Sequence, residues 1–219
     1  MLYVVATPIG NLGDTTERAR QCLRAAQYIV CEDTRHSKIL LQSISVTSEL
    51  ISLHAHSSQS QYNRIVQLLQ DGKDIALITD AGTPGISDPG SQLIARVHQL
   101  KIPVSPIPGP SSLTAALSVS GLPAEQFIFY GFLPKKKGRS TLLTALQTEK
   151  KTTVFFESPF RVKETIQEFH DILGPNRTIC ICRELTKKFE SIWVGSLERA
   201  VKCKIVSKGE FVLVLEGKV

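Results

Sequence analysis

Asp80-Ala81-Gly82-Thr83-Pro84-Gly85-Ile86-Ser87-Asp88-Pro89-Gly90 directly follows the apolar run Ile75-Ala76-Leu77-Ile78-Thr79. The run is too short for a helix and reads as a buried strand. The residues after it include three glycines, two prolines and two aspartates, with no large side chain except Ile86. A loop of this composition lets a ligand lie against the main chain, because glycine has no Cβ and proline holds its own φ. Asp80 then stands where a strand of a parallel sheet ends, the usual ligand edge of open α/β folds.

Two other stretches repeat the pattern. Val4-Val5-Ala6 runs into Thr7-Pro8-Ile9-Gly10-Asn11-Leu12-Gly13-Asp14, and Val104-Ser105-Pro106-Ile107 runs into Pro108-Gly109-Pro110-Ser111-Ser112. Three such loops suggest one shared pocket; each taken singly also reads as an ordinary βα turn. Strands are expected at 3–6, 28–31, 50–53, 75–79 and 104–107. Thr15 or Thr16 caps a helix with Ala19, Cys22, Leu23 and Ala26 on one face, and further apolar stripes run through Tyr62/Ile65/Val66/Leu69 and Leu93/Ile94/Val97/Leu100. This alternation predicts a parallel sheet covered by helices on both faces. After a hinge at residues 120–125, strand-like runs at 127–130, 154–156, 178–182, 191–194 and 211–215 come with shortening connections, so some pair antiparallel. The expected class is α/β with two α/β domains: a parallel-sheet domain over residues 1–120 and a mixed-sheet domain over residues 126–219.

Composition narrows the setting. A chain of 219 residues that is 42% hydrophobic and 21% charged is ordinary for a globular protein. No apolar run approaches the roughly 20 residues of a bilayer span, and Met1–Ala6 reads as a strand rather than a signal peptide. Five scattered cysteines point to reduced thiols in the cytoplasm. Cys180 and Cys182 read as small buried hydrophobes, no zinc-ligand spacing is present, and no metal is expected. The net charge of +6 is uneven: residues 1–125 carry nine Lys and Arg against ten Asp and Glu, and residues 126–219 carry seventeen against ten. Either the basic half meets a polyanion or it is a solvated cationic surface.

Several stretches together resemble the tetrapyrrole methylase superfamily of S-adenosylmethionine-dependent methyltransferases, in particular its members that act on small-subunit ribosomal RNA. They are Thr7–Leu12, Glu32-Asp33-Thr34-Arg35, Asp80–Pro84 with Asp88-Pro89-Gly90, Pro108–Ser111, Gly131-Phe132-Leu133-Pro134, Glu157-Ser158, Arg183-Glu184-Leu185-Thr186-Lys187 and Lys208-Gly209-Glu210. Glu32–Arg35 and Arg183–Lys187 are the specific ones. The resemblance implies two α/β domains with S-adenosylmethionine in the cleft between them, a homodimer, and methyl transfer to a ribose 2′-hydroxyl of a cytidine. Many members continue with a small helical segment past the last strand; the catalytic core reads as complete without it, and the grip on RNA is then expected to differ. The G-x-G-x-x-G fingerprint is missing after the first strand, which disfavours a dinucleotide.

The resemblance further implies cofactor contacts from Asp80, Ala81, Gly82 and Pro84, from Ser111 and Ser112, and from Pro8 and Gly10 opposite, with Leu133, Glu157, Ser158 and Pro159 closing the cleft. Physically, Asp80 offers acceptors, and Ser111 and Ser112 stand at a helix start whose free N–H groups suit a carboxylate; a plain cap is the other reading. A ribose hydroxyl needs a base as attack proceeds, and Glu32, Asp33, His56 and Glu184 are the candidates. Asp33 also reads as a helix cap and Glu32 as a dipole partner, whereas Arg35 in a first turn fits neither role. His54-Ala55-His56 supplies two of the ligands a metal would want and no third. For RNA phosphates the candidates are Arg35, Lys135, Lys136, Lys137, Arg139, Arg161, Arg183 and Lys187, the lysine run reading alternatively as a solvated loop. A tetrapyrrole precursor or a protein factor is the rival substrate.

Overall fold

The five strand-like runs of the first half are too short for helices, and the inner ones, around residues 29–31 and 75–77, are buried on both faces. In the computed structural model, which describes residues 1–88 and 90–218, they are β1 (Leu2–Val5), β2 (Tyr28–Cys31), β3 (Glu49–Ser52), β4 (Ile75–Leu77) and β5 (Val104–Ile107). All pair in parallel, in the order β3-β2-β4-β1-β5. Strand periodicity sorts their side chains onto two faces. Ile29, Cys31, Ala76 and Val5 share one core with Ala19 and Leu23 of α1 (Glu17–Ala25) and Leu41 of α2 (Thr34–Ser43). Val30, Ile75, Leu77 and Leu2 share another with Tyr62, Ile65 and Leu69 of α3 (Gln59–Gln70) and Leu93 and Val97 of α4 (Gly90–Gln99).

Local chemistry starts and stops these helices. The Thr16 hydroxyl accepts from the Ala19 N–H at 3.1 Å, and Ser58 with Gln61 forms a capping box at α3. β4 is shorter than its apolar run because the Thr79 carbonyl leaves the ladder and accepts the Thr7 hydroxyl instead.

Contacts divide the chain into Met1–Ser111 and Ser112–Val219. The second unit opens with α5 (Ser112–Ser120), which packs against β10 (Phe211–Leu215); the sequence reading counts that helix with the first domain. Its sheet runs β6 (Phe127–Phe132), β7 (Thr152–Glu157), β10, β8 (Thr178–Arg183), β9 (Ser191–Ser196). β6 and β7 are parallel and the other pairs antiparallel, so this sheet is mixed. All five residues of the central β10 are buried. Helices α6 (Arg139–Leu146), α7 (Val162–Leu173) and α8 (Leu197–Lys202) close one core around Phe155, Phe169, Ile166 and Leu213. The short α8 escaped the sequence reading, since six residues carry little periodicity. Cys180 and Cys182 are fully buried in this core sheet. Among the described residues no helix is long and apolar enough to cross a membrane.

Phe169 is fully buried, with its ring 5.5 Å from that of Phe155. Phe169→Ala is expected to lower stability by about 3–5 kcal/mol, read as a lower urea midpoint at unchanged slope. A loss below about 1 kcal/mol would mean that α7 does not anchor this core.

Candidate active site

Because every strand of the first unit runs the same way, the loops that follow them leave from a single edge. The loops after β1, β4 and β5 are also stitched together there. Thr7 and Gly82 form an antiparallel bridge: the Thr7 N–H donates to the Gly82 carbonyl at 2.9 Å, and the Gly82 N–H to the Thr7 carbonyl at 3.1 Å. The buried Thr7 hydroxyl donates to the carbonyls of Thr79 at 3.1 Å and Gly82 at 3.3 Å. The Thr83 hydroxyl reaches the Pro110 carbonyl at 3.1 Å. Gly82 sits at φ +84°, and a Cβ there would lie 3.4 Å from Ile9 and 3.9 Å from the Cα of Ser111. Glycine is favoured here by the left-handed backbone; a Cβ would meet the two neighbouring loops only at ordinary contact distance.

The structure thus brings Pro8, Asp80, Gly82, Pro84 and Ser111 into one neighbourhood within the first unit. Pro8, Gly82 and Pro84 are buried, Asp80 is half-buried, and Gly10 and Ala81 are exposed. Ser112 begins α5 and belongs to the second unit. Asp88 serves its own loop: one carboxylate oxygen accepts from the N–H groups of Gly85 at 2.8 Å and Gly90 at 3.0 Å. Pro89 of this motif lies outside the described residues. Thr7, which the sequence reading did not single out, proves central; a small polar residue between a strand and a Gly/Pro loop is the only signal that could have marked it.

The loop after β2 joins the same edge, the Asp33 N–H donating to the Asp80 carboxylate at 3.3 Å. Asp33 caps α2, accepting from the Arg35 N–H at 2.8 Å, and its carboxylate takes the Arg35 guanidinium at 2.9 Å. Hydrogen bonds from Arg35 lower its pKa to about 2. Arg35 therefore has a local role despite opposing the helix dipole, and its side chain is otherwise largely exposed. Glu32 behaves oppositely. Burial, then the Asp80 and Asp88 carboxylates, push its pKa up. After β3, His54 Nδ1 accepts from the His56 N–H at 3.2 Å and both rings are exposed. Among the described residues no cluster of three or more His, Cys, Asp or Glu could hold a metal ion.

The remaining candidates lie in the second unit, and most are occupied. Leu133 is buried. The Glu157 side chain is wholly buried; it accepts from the Ser158 N–H at 2.7 Å and the Thr165 hydroxyl at 2.7 Å and pairs with Arg161 at 2.7 Å. Arg161 also donates to the Leu133 carbonyl at 3.1 Å. Arg139 is a correction to the sequence reading: it is buried, pairs with Glu168, and donates to Thr165 and the Pro134 carbonyl. It is held as an internal cross-link and offers no cation to a phosphate. Arg183 is taken up by the carbonyls of Lys208 at 2.6 Å and Phe189 at 3.0 Å. Glu184, with φ +52°, accepts from the Glu210 N–H at 3.0 Å and from Lys187 at 3.2 Å. Burial opposes its ionisation, but these donors outweigh it and hold the pKa below the usual range. A side chain at Gly209, φ +89°, would collide with Glu184, which interlocks the two motifs. Lys135, Lys136 and Lys137 are exposed, as are parts of Ser158 and Pro159.

Comparison with known proteins agrees with this arrangement. The profile of the Tetrapyrrole (Corrin/Porphyrin) Methylases matches residues 1–201. The chain is 44% identical over 220 residues to "Ribosomal RNA small subunit methyltransferase I" of Synechocystis sp., covering 99% of this chain and 79% of that protein. It is 46% identical over 219 residues to the protein of the same name from Halalkalibacterium halodurans, covering 99% and 75%. Among solved structures, uroporphyrin-III-C-methyltransferase from Thermus thermophilus superposes with TM-score 0.69 at 18% identity, covering 98% of this chain and 93% of that one. The cobalt precorrin-4 methyltransferase CbiF gives TM-score 0.69 at 18% identity, covering 97% and 93%; at this identity the likeness concerns the fold. From the paired sheets, the latched loops and a profile match over nearly the whole length, the chain belongs to the tetrapyrrole methylase family.

Proposed function

We propose that the protein is an S-adenosylmethionine-dependent methyltransferase that methylates the ribose 2′-hydroxyl of a cytidine in small-subunit ribosomal RNA. The observation that carries the cofactor assignment is the latch of Thr7 to Gly82, which gathers Pro8, Asp80 and Ser111 around a wall of small residues. The substrate assignment draws on relatives named as small-subunit rRNA methyltransferases at 41–47% identity. The same reading sets the enzyme in the cytoplasm with the small ribosomal subunit, as a homodimer.

The residues present suit the cofactor. Its site needs main-chain polar groups, one or two carboxylate acceptors for amino and hydroxyl groups, and walls that allow close approach; the loops after β1, β4 and β5 provide these. When bound, S-adenosylmethionine supplies a methyl group activated by a sulfonium. The chain's part is alignment, since displacement at carbon is fastest when nucleophile and leaving group are held in line. Asp80 would accept from the cofactor's amino or hydroxyl groups, Gly82 and Pro84 would let it lie on the backbone, and Pro8 would form the facing wall.

Among the three candidate carboxylates, Glu32 fits best. A general base works when its pKa approaches the working pH, and of the three only Glu32 is shifted upward, by burial and by the Asp80 and Asp88 carboxylates. Asp33 is held low by Arg35 and Glu184 is committed to its own unit. The exposed Lys135–Lys137 run would meet RNA phosphates.

Asp80→Ala is expected to weaken S-adenosylmethionine binding about a hundredfold. Replacing Lys135, Lys136 and Lys137 together by alanine should spare it and weaken RNA, lowering the salt dependence by roughly two to three phosphate contacts. Calorimetry with cofactor and RNA separately checks this, and loss of the same ligand in both variants would defeat the assignment. Tritiated methyl transfer onto unmodified small subunits, followed by nucleoside analysis, tests the reaction itself.

Glu32 supplies a pH test. Its raised pKa means that ionising it costs more in the folded state than in the unfolded chain. That cost is absent below the ordinary Glu pKa of about 4.3 and fully present above the raised folded value. Glu32→Gln should therefore raise the melting temperature at neutral pH, with the gain vanishing as pH falls through the carboxylate range, while methyl transfer collapses. Melts across pH and transfer assays read both effects. A variant no more stable at neutral pH, or one fully active, would remove Glu32 from this role.

A further inference from the structure

A groove of about 580 Å³ runs along the edge strand β9 of the second unit. It is lined by Ile181 of β8, Trp193 of β9 and Phe211 of β10, and by the segments at 188–190 and 203–206. Arg183, itself in the lining, ties the first of these segments to the chain just beyond the second, donating to the carbonyls of Phe189 at 3.0 Å and Lys208 at 2.6 Å. The groove is therefore built into the fold, and its size falls within the roughly 300–1,000 Å³ usual for ligand sites.

Its lining combines features that a solvated surface has no use for. Phe189 is 62% exposed, Val206 50% and Ile192 41%. Trp193 lies close over Gly195, two residues on, where a Cβ would come within 2.8 Å of the ring. Cations accompany the aromatics: the Lys188 ammonium is 5.7 Å from the Phe189 ring centre and the Arg199 guanidinium 6.0 Å from that of Trp193. Lys204 also lines the groove. Residues 183–208 hold seven Lys and Arg against three Glu. The three are engaged locally, Glu184 with Lys187, Glu190 with the Thr186 N–H and Glu198 with Lys202.

We infer that this groove binds a single-stranded segment of RNA, with a nucleobase stacked on Phe189 beside Trp193 and flanking phosphates met by Lys188 and Lys204. Exposed aromatics interleaved with cations are the platform on which unpaired bases stack without sequence preference. An acidic peptide would satisfy the cations and leave the aromatic rings without a partner. The inference rests on the RNA-directed reading above for the kind of polynucleotide, and its test does not require catalysis.

Trp193 is the only tryptophan of the chain, so its emission reports on the groove directly. Titration of the intact protein with an oligouridylate is expected to quench it saturably. Phe189→Ala, a change at an exposed position, should weaken that binding about tenfold and leave the S-adenosylmethionine affinity unchanged, while Phe189→Tyr should retain it. Lys204→Glu should weaken binding further at low salt. Absence of quenching, equal affinity of the Phe189→Ala variant, or equal binding of an abasic oligonucleotide or of polyglutamate would each overturn the inference. Binding that meets these expectations in a protein that transfers no methyl group to small subunits would uphold the groove and reject the proposed reaction.

Discussion

The arrangement of the first unit depends on a pair of main-chain hydrogen bonds, those exchanged by Thr7 and Gly82. Parallel pairing brings the ends of β1 and β4 side by side but leaves the loops beyond them free to diverge. The bridge prevents this, and the Thr7 hydroxyl adds to it by reaching the Thr79 carbonyl, beyond the end of β4, and the Gly82 carbonyl already in the bridge. Buried carbonyls need donors, so the hydroxyl both supplies one to Thr79 and helps set the path of the loop. The neighbouring Thr83 hydroxyl then donates to the Pro110 carbonyl, so that the loop after β4 is tied to those after both β1 and β5.

The second unit is organised by charge held inside it. A carboxylate as buried as Glu157 persists only with a partner, and Arg161, Thr165 and the Ser158 N–H provide it. Arg161 then links β7 to the loop after β6 by donating to the Leu133 carbonyl, and Arg139, bonded to Thr165 and Glu168 of α7, does so through the Pro134 carbonyl. Arg177 does the same elsewhere, bonding the carbonyls of Leu146, Glu149 and Glu216. Much of the basic character of residues 126–219 is thus spent on structure. The exposed cations are chiefly lysines, among them those at 135–137 and Lys188 and Lys204 of the β9 groove.

Much of the architecture could be read from local pattern. The strands at 28–31, 104–107 and 211–215 fall where apolar runs between turn residues predict them, and Thr16 caps α1 as its position suggests. The Gly/Pro loops were legible as a group because each follows a strand. Arg139 was misread because Lys135-Lys136-Lys137-Gly138-Arg139 looks like one basic run. Only the turn at Gly138 and the approach of Glu168 and Thr165, far along the chain, separate the buried arginine from its exposed neighbours. Asp33 and Glu32 are adjacent in sequence and chemically alike, yet their proton affinities shift in opposite directions.

The sequence by itself determined which segments become strands and helices, that the first sheet is parallel, and which small-residue loops share its edge. These follow from periodicity and backbone preference, which act over a few residues. Tertiary structure alone decided which charged groups face outward, that the neighbouring carboxylates Glu32 and Asp33 shift in opposite directions, and that Thr7 latches to Gly82. Those outcomes depend on distances between residues far apart in the chain, where desolvation and hydrogen bonding are set by neighbours that no local pattern names.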